Sequence, residues 1–248
     1  MRHSRRCVAL DNFPFICLNH AVPTKVIAVA NQQANATSGL GLEKIEGGSA
    51  YRSLLGEGSL ADKIQPTPFT NLQIIPSEVD LCGADIELPR LENPLQRATQ
   101  SLQPILDAQR FDLVLIDCPP SLGVLTLNAF AAADSLIVPL QCEYYALEGI
   151  SMTTRILGQL RNTGVNPRLE LAGVVMTMFD GRTKLSQQVV SEVREHFGQL
   201  VFETVIPRTT RLAEAPSFGK PIIHYDKYSA GAAAYEMLAQ ELAARLKL

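Results

Sequence analysis

The 248-residue sequence has no tryptophan and few cysteines or histidines. Its five cysteines are odd in number and contain no CxxC pair, which argues against a disulfide framework, a zinc site or redox chemistry. Its four histidines are isolated from one another and from any acidic cluster, so we expect none to ligate a metal. This composition is typical of a protein from a reducing cytoplasm.

The sequence also lacks a long hydrophobic run and a strong charge of either sign. No stretch approaches the roughly 18 apolar residues of a membrane span. Near the amino terminus, arginines precede the apolar stretch FPFICL, which weakly resembles a secretory signal peptide. Polar residues and Pro14 make the apolar stretch too short for a signal peptide. The net charge of −3 excludes wholesale attraction to nucleic acid, although a local basic patch stays possible.

Short β-branched runs alternate with helical patterns along the chain. Strands are predicted at 25–30, 72–75, 112–117, 135–140, 171–178 and 201–206, and helices near 91–108, 147–162, 184–197 and 231–246. Several strands are continuously apolar, which is typical of a parallel sheet covered on both faces. We therefore predict an α/β fold with a doubly wound, mostly parallel sheet, forming one domain over 24–248 after an unstructured extension over 1–23.

The carboxyl-terminal helical segment aligns Tyr235, Leu238, Leu242 and Leu246 on one face. This stripe fits either a membrane-surface helix or the last helix that covers the core. Few basic residues flank it, and the core interpretation is therefore preferred.

The segment FDLVLIDCPPSLG places Asp117 directly after a buried strand. In nucleoside triphosphatases, an aspartate at such a strand end accepts hydrogen bonds from magnesium-bound water. The alternative is a carboxylate that only caps the following turn. The whole sequence contains no GxxxxGK[ST] loop to hold the phosphates, so Asp117 would be half of a site without its partner.

The stretch IDCPPSLGVLTLNAFAAADSLIVPLQCEYYALEG resembles the ParA/Soj chromosome- and plasmid-partitioning ATPases, relatives of MinD. The similarity continues through VVMTMFDGRTKLSQQVVSEVREHFG and VIPRTTRLAEAPSFGKPIIHYDKYSAGAAAYEMLAQEL, and upstream through NATSGLG and IPSEVDLCGADIEL. The resemblance implies a P-loop NTPase fold, ATP and Mg²⁺ as cofactors, a ParB-like partner, a nucleotide-dependent dimer, and non-specific binding to nucleoid DNA. No membrane partner is implied.

The sequence departs from the family at one place. In the family, the first strand, here TKVIAVANQ, runs into a KGGVGKTT loop, a helix, and a second strand that ends in DxDPQ. Here VIAVANQ continues directly into QANATSGLG, so Gln32 matches the residue before the loop and Gln33 the one that closes DPQ. We therefore predict a fold that lacks one βα unit and the next strand, with the loop lysines, the magnesium-binding threonine and the water-activating aspartate gone.

Other glycines do not replace the missing loop. Residues Gly39, Gly41, Lys44, Gly47 and Gly48 bring glycines near a lysine, but they neither fit GxxxxGK[ST] nor lie between a strand and a helix start. ATP binding is expected to be weak or lost, and no catalytic residue is predicted. An unpaired strand edge and an exposed apolar patch are also expected where the strand and helix are missing.

The remaining family positions carry over one by one, each with a structural alternative. Asp117, Thr177, Met178, Pro207 and Arg208 match nucleotide-binding positions, Asp117 on the metal side through water and the other four around adenine, although strand-end residues pack in any case. Arg182 and Arg211 match DNA-contacting arginines, although exposed arginines are commonly only solvated. Asn35, Thr37 and Gly39 match the first switch segment, and Pro119, Pro120 and Gly123 the second, both of which sense the γ-phosphate in the family.

Three hypotheses on function follow. The chain is a partition protein of the ParA/Soj type, cytoplasmic and bound to the nucleoid wherever DNA binding is retained. Alternatively, it is a non-enzymatic, truncated pseudo-ATPase that acts by binding or dimerising with intact ParA, or it is an artefactual or pseudogene product. A metabolic relative such as a cobyrinate-synthase-like amidotransferase is the third, and CEYYALEG and RLAEAPSFGKPI favour the partition family over it.

Overall fold

The computed structural model describes residues 6–11, 24–144 and 146–248, which form one α/β unit around a sheet of eight strands. The strands are β1 (Arg6–Asp11), β2 (Val26–Val29), β3 (Gln65–Pro66), β4 (Leu72–Ile75), β5 (Leu113–Cys118), β6 (Ser135–Gln141), β7 (Glu170–Phe179) and β8 (Val201–Pro207). Their order across the sheet is β3-β4-β2-β5-β1-β6-β7-β8. Only the β3–β4 pair is antiparallel among these strands, so the predicted doubly wound, mostly parallel sheet is confirmed.

Helices cover both faces of this sheet. They are α1 (Asn35–Gly39), α2 (Tyr51–Leu55), α3 (Ala84–Glu87), α4 (Arg97–Asp107), α5 (Val124–Ala132), α6 (Ala146–Asn162), α7 (Lys184–Phe197), α8 (Thr210–Glu214), α9 (Ile222–Tyr225) and α10 (Ala230–Leu246). Four short 3₁₀ segments lie at Leu60–Lys63, Val79–Gly83, Gly198–Leu200 and Ala215–Phe218, and a fifth follows α3 at Leu88–Arg90. One core cluster joins the sheet to α4, α5, α6 and α7, and a second joins it to α1, α9 and α10.

The carboxyl-terminal helix α10 belongs to the core. Its stripe of Tyr235, Leu238, Leu242 and Leu246 is buried, with at most 5% of each residue exposed. Arg245 anchors the end of α10, where its guanidinium lies over the Phe202 ring at 3.9 Å and donates to main-chain oxygens around β8. The core interpretation of this segment is confirmed, and no helix among the described residues is long and apolar enough to cross a membrane.

The amino-terminal segment corrects one expectation. Residues 1–23 were expected to form an unstructured extension, but Arg6–Asp11 is a parallel strand between β5 and β6. Cys7, Val8 and Ala9 are buried there because both neighbouring strands are apolar and both faces of the sheet are covered. The rest of that predicted extension, 1–5 and 12–23, lies outside the described residues.

The strand formed by VIAV also has an unexpected position. β2 lies between β4 and β5, in register with both, and its end leads directly to α1. β1 occupies the position on the other side of β5. The predicted unpaired edge is therefore not found among the described strands of the sheet interior, because Arg6–Asp11 supplies the backbone hydrogen bonds that β5 and β6 need there.

Candidate functional site

Asp117 lies where the sequence predicted, at the carboxyl end of β5. It is the penultimate residue of that strand and only 6% exposed. The carboxyl ends of β1, β2 and β5 lie side by side, with Leu10 of β1 in register with Asp117. Ligands of open α/β sheets bind at this edge, so we take it as the candidate site.

The predicted second switch segment follows β5 and is tied to α5. The hydroxyl of Thr126 donates to the oxygen of Ser121 at 2.6 Å, which holds the loop that contains Pro119, Pro120 and Gly123. Asp85 accepts a hydrogen bond from the Leu125 amide at 3.1 Å and caps the start of α5. This cap was not predicted, because Asp85 lies 40 residues away in the sequence and no local motif indicates it.

Asn31 links the segment after β2 to the end of β5. Its side-chain amide donates to the oxygen of Cys118 at 3.2 Å, and its side-chain oxygen accepts from the Gln33 amide at 2.9 Å. Asn31 is 3% exposed, and its bond to Cys118 is buried, whereas its bond to Gln33 is partly buried. Sequence reasoning used Gln32 and Gln33 as markers of the junction and missed Asn31 as the residue that fastens it.

The predicted first switch segment is helix α1. Thr37 is fully buried, and its hydroxyl accepts a hydrogen bond from the Ser77 amide at 3.0 Å. Asn35 donates to the side chain of Gln33 at 3.2 Å. Gly39 has no atom within 4 Å of the position that a Cβ would take. Thr37 is thus engaged within the protein, whereas Asn35 is exposed.

Two glycines bring the end of this switch segment against the loop after α8. Gly41 and Gly219 both have positive φ, +72° and +61°. A Cβ on Gly219 would lie 2.6 Å from the Cα of Gly41, and one on Gly41 would lie 2.9 Å from the oxygen of Gly219. The two backbones touch here in a way that only glycine permits.

A small cavity lies beside Asp117. Its volume is about 60 Å³, and apolar side chains of β2, β5, α2, α4 and α5 line most of it, together with Asn31, Gln32, Asp117 and Asn128. Pockets that hold drug-sized ligands measure about 300–1,000 Å³. This cavity is far too small for a nucleotide.

The four predicted adenine-side residues come together at the ends of β7 and β8. Phe179 and Pro207 are in register, and the Arg208 amide donates to the oxygen of Phe179 at 2.9 Å. Thr177 is buried, while Met178 is 39% exposed and has a φ of +54°, a strained value for a residue other than glycine. Strain of this kind is concentrated at functional sites. Strands β1 and β6 separate this group from Asp117, a span of about 14 Å at the usual strand spacing.

Both predicted DNA-contacting arginines are paired with carboxylates. Arg182 donates two hydrogen bonds to Asp180, at 2.9 and 2.7 Å, and these bonds lower the pKa of Asp180 to about 2. Arg211 lies 3.3 Å from Glu214 and 3.5 Å from Asp226. The arginines are 91% and 57% exposed, so each guanidinium is also open to solvent.

The chain between β1 and β2 leaves the sheet next to Asp117. In sequence it reads NFPFICLNHAVP over 12–23, with neither glycine nor lysine nor arginine. Among the described residues, no group of three or more His, Cys, Asp or Glu side chains could hold a metal ion. Asp117 is the residue that we predict to contact magnesium, through water, at this edge of the sheet.

Comparisons with known proteins agree with this geometry. A family model described as an AAA domain matches residues 17–171, more than half of the chain. The chromosome partitioning protein ParA of Myxococcus xanthus is 47% identical over 214 residues, 86% of this chain and 75% of that protein. The chain belongs to the ParA/Soj family. The sporulation initiation inhibitor protein Soj of Bacillus subtilis is 45% identical over 232 residues, 92% of this chain and 89% of Soj.

A solved structure of similar shape binds nucleotide. Cobyrinic acid a,c-diamide synthase from Mycobacterium smegmatis, solved with an ATP analogue and magnesium, superimposes with a TM-score of 0.79 at 30% identity and covers 96% of this chain and 93% of that one. The ParA/Soj relatives are more similar in sequence than this synthase. The fold is thus that of P-loop NTPases, whose members bind nucleotide with magnesium.

Proposed function

We propose that this chain is a partition protein of the ParA/Soj family that acts by binding and does not hydrolyse ATP. Its membership of the ParA/Soj family supports a role in chromosome or plasmid partitioning, for which we propose a ParB-like protein and non-specific DNA as partners. It would pair with itself or with an intact ParA and tune the activity of that protein. The absence of a phosphate-binding loop is the observation that carries the proposal.

The residues at the carboxyl edge do not fit a triphosphate. A phosphate-binding loop needs glycines to bring backbone N–H groups close to the phosphates, and a lysine to neutralise their charge. The 12–23 segment that follows β1 has neither. Lys25 lies just before β2, and its amide donates to Asp112, at the opposite edge of the sheet from Asp117.

The groups nearest Asp117 bond to one another and leave little space, which fits packing between β2 and β5 better than it fits a nucleotide site. Asn31 bonds to the oxygen of Cys118, and Asp117 lines a cavity of about 60 Å³ whose walls are mostly apolar. A phosphate placed there would lose its hydration without gaining enough hydrogen bonds, which is strongly unfavourable for a multiply charged anion. Asp117 is therefore a remnant of the metal-side half of the site.

The family's binding surfaces are retained. Arg182 and Arg211 are exposed, and both are close enough to a carboxylate that DNA phosphate would have to displace it. The grouping of Thr177, Met178, Pro207 and Arg208 would still receive a purine base, but base contacts without phosphate contacts give weak affinity. Nucleotide-dependent dimerisation is accordingly expected to be lost, and any pairing would be independent of ATP.

Turnover of Mg-ATP by the purified full chain tests the proposal. We expect no phosphate release above background, and no stabilisation of the chain in a thermal melt at millimolar ATP. The matched control is Asp117→Asn, which keeps the shape of the side chain and removes its charge. Hydrolysis by the wild-type chain that Asp117→Asn abolishes would overturn the proposal, because a contaminating ATPase would not respond to that substitution.

The deletion at Gln32–Gln33 has its own test. Resequencing the gene across these two codons, together with the intact mass of the protein, distinguishes a naturally truncated protein from an artefact of assembly. Recovery of the missing segment at Gln32–Gln33, after β2, would restore the ATPase hypothesis. A ParB-like gene next to this one would support the role in partitioning.

The amidotransferase hypothesis is less favoured. The synthase neighbour is 30% identical, whereas partition proteins reach 47%. The synthase was solved with an ATP analogue and magnesium, and the argument against triphosphate binding applies equally to a ligand of that kind.

A further inference from the structure

A second cavity lies at the amino edge of the sheet, opposite to Asp117. Its volume is about 690 Å³, and it is lined by Arg6, Asp134, Arg161, Pro167, Arg168 and Glu170. These residues lie where β1, β6 and β7 begin and where α6 ends. The cavity shares no residue with the candidate nucleotide site, and its volume falls in the range of ligand-binding pockets.

The cavity is basic in a chain that is acidic overall. Three arginines face two carboxylates, whereas the whole chain carries a net charge of −3. Within the described part of the chain, no ion pair joins any of these arginines to Asp134 or Glu170. The three guanidinium charges are therefore not neutralised by direct contact with the protein.

The carboxylate of Asp134 already has a structural role. It accepts a hydrogen bond from the Cys7 amide at 2.9 Å, and the Asp134 amide donates to the oxygen of Cys7 at 2.8 Å. The Glu170 amide donates to the oxygen of Asp134 at 3.1 Å. These bonds join the starts of three strands into a fixed wall of the cavity.

Two arginines are positioned to receive an anion. The Nε of Arg161 donates to the oxygen of Leu169 at 2.6 Å, which orients the guanidinium and leaves its two terminal amino groups for another acceptor. The Nε of Arg6 is buried and has no hydrogen-bond partner. A buried donor without an acceptor is costly, and a small rotation of the Arg6 side chain toward an anion in the cavity would remove that cost.

We propose that this cavity binds a small phosphomonoester, with the phosphate held by Arg6, Arg161 and Arg168. Planar guanidinium groups match the oxygens of a phosphate through paired, charge-assisted hydrogen bonds. Asp134 and Glu170 disfavour a long polyanion such as DNA, and they would accept hydrogen bonds from hydroxyl groups of a sugar. A sugar phosphate is the ligand class that meets both requirements. The proposal does not depend on the function proposed above.

Titration calorimetry on the full chain at low salt tests it, with ribose 5-phosphate, inorganic phosphate and ribose as probes. We expect ribose 5-phosphate to bind with a Kd of about 1 mM or tighter, inorganic phosphate to bind more weakly, and ribose not to bind, because the arginines supply most of the affinity. The double substitution Arg161→Gln with Arg168→Gln should weaken ribose 5-phosphate binding at least tenfold. Both side chains are exposed, so the variant should fold, which a thermal melt confirms.

Arg155→Gln is the matched control, because Arg155 is also exposed on α6 but does not line the cavity. It should leave binding unchanged. The proposal is overturned if neither phosphate probe binds up to about 10 mM, or if the double variant binds as well as the wild type. It is equally overturned if Arg155→Gln weakens binding as much as the double substitution, since the effect would then be one of overall charge.

Discussion

The contact between Gly41 and Gly219 gives the sharpest prediction about stability. In the variant Gly219→Ala, the new Cβ would lie 2.6 Å from the Cα of Gly41, whereas ordinary contacts begin near 3.4 Å. The two backbones would have to separate by about 0.8 Å, the difference between these distances. The segment that ends α1 and the loop after α8 would be forced apart.

Three terms set the size of the effect. Alanine at a φ of +61° costs about 1–2 kcal/mol, and the reduced freedom of the unfolded chain returns about 0.4–1 kcal/mol. Overpacking against a backbone adds about 1–3 kcal/mol. We expect Gly219→Ala to lower the free energy of unfolding by about 2–4 kcal/mol.

Gly58→Ala is the matched control. Gly58 also has a positive φ, +83°, but no atom lies within 4 Å of the position of its Cβ. It should lose only the conformational term, about 0.5–1 kcal/mol after the compensation from the unfolded chain. Urea unfolding followed by circular dichroism, with unchanged slopes, measures both variants. Equal losses in the two variants would refute the close contact between the switch segment and the loop.

Three further predictions concern DNA binding, the cysteines and the core. Replacing both Arg182 and Arg211 by glutamine should weaken binding to duplex DNA and lower the slope of log K against log salt by about 2. Asp180→Asn should instead tighten DNA binding a few-fold, because it frees Arg182. An unchanged slope in the double variant would exclude phosphate contacts by these arginines. Burial raises the pKa of the Cys142 thiol to about 11, and burial and then the charge of Asp134 raise the pKa of Cys7. Native protein at pH 8 should therefore be alkylated at the exposed Cys82 but not at the buried Cys7, Cys118 or Cys142. Peptide mass mapping measures which cysteines react. The sign of the linkage follows for Cys7 and Cys142, whose thiols ionise near their ordinary pKa of 9.0 only in the unfolded chain. Their contribution to stability is complete below pH 9 and declines as the pH rises above it, through about 11 for Cys142. Finally, Asn128→Ala removes the hydrogen bonds that the buried Asn128 makes with Pro94, Val124 and Ala98, and it should lower the free energy of urea unfolding by about 2–4 kcal/mol. The control Asn162→Ala, at an exposed position, should lower it by less than about 0.5 kcal/mol. Similar losses of unfolding free energy in the two variants would contradict the buried role of Asn128.

The positions that local pattern could predict share a physical cause. The continuous apolar run before Asp117 became the buried strand Leu113–Cys118 because such a run has to hide both of its faces. The apolar stripe of α10 became a core-facing surface for the same reason. Asp117 was located because it lies at the end of such a strand, whereas the adenine-side residues came only from the family resemblance. The helix Val124–Ala132 was missed because it is apolar on nearly all sides and carries no stripe.

The sequence by itself determined the family, the α/β class and the absence of a GxxxxGK[ST] motif, because motifs and apolar runs are local properties of the chain. Only the tertiary structure decided which strand fills which place in the sheet. Arg6–Asp11 was taken for an extension and VIAV for the strand before the loop, but the first lies between β5 and β6 and the second between β4 and β5. Strand order depends on which strand edges the rest of the fold leaves without backbone hydrogen bonds. No single segment of the sequence contains that information. The same holds for Asn31, Asp85 and the arginines at the amino edge, whose partners are distant in sequence and meet only in the folded chain.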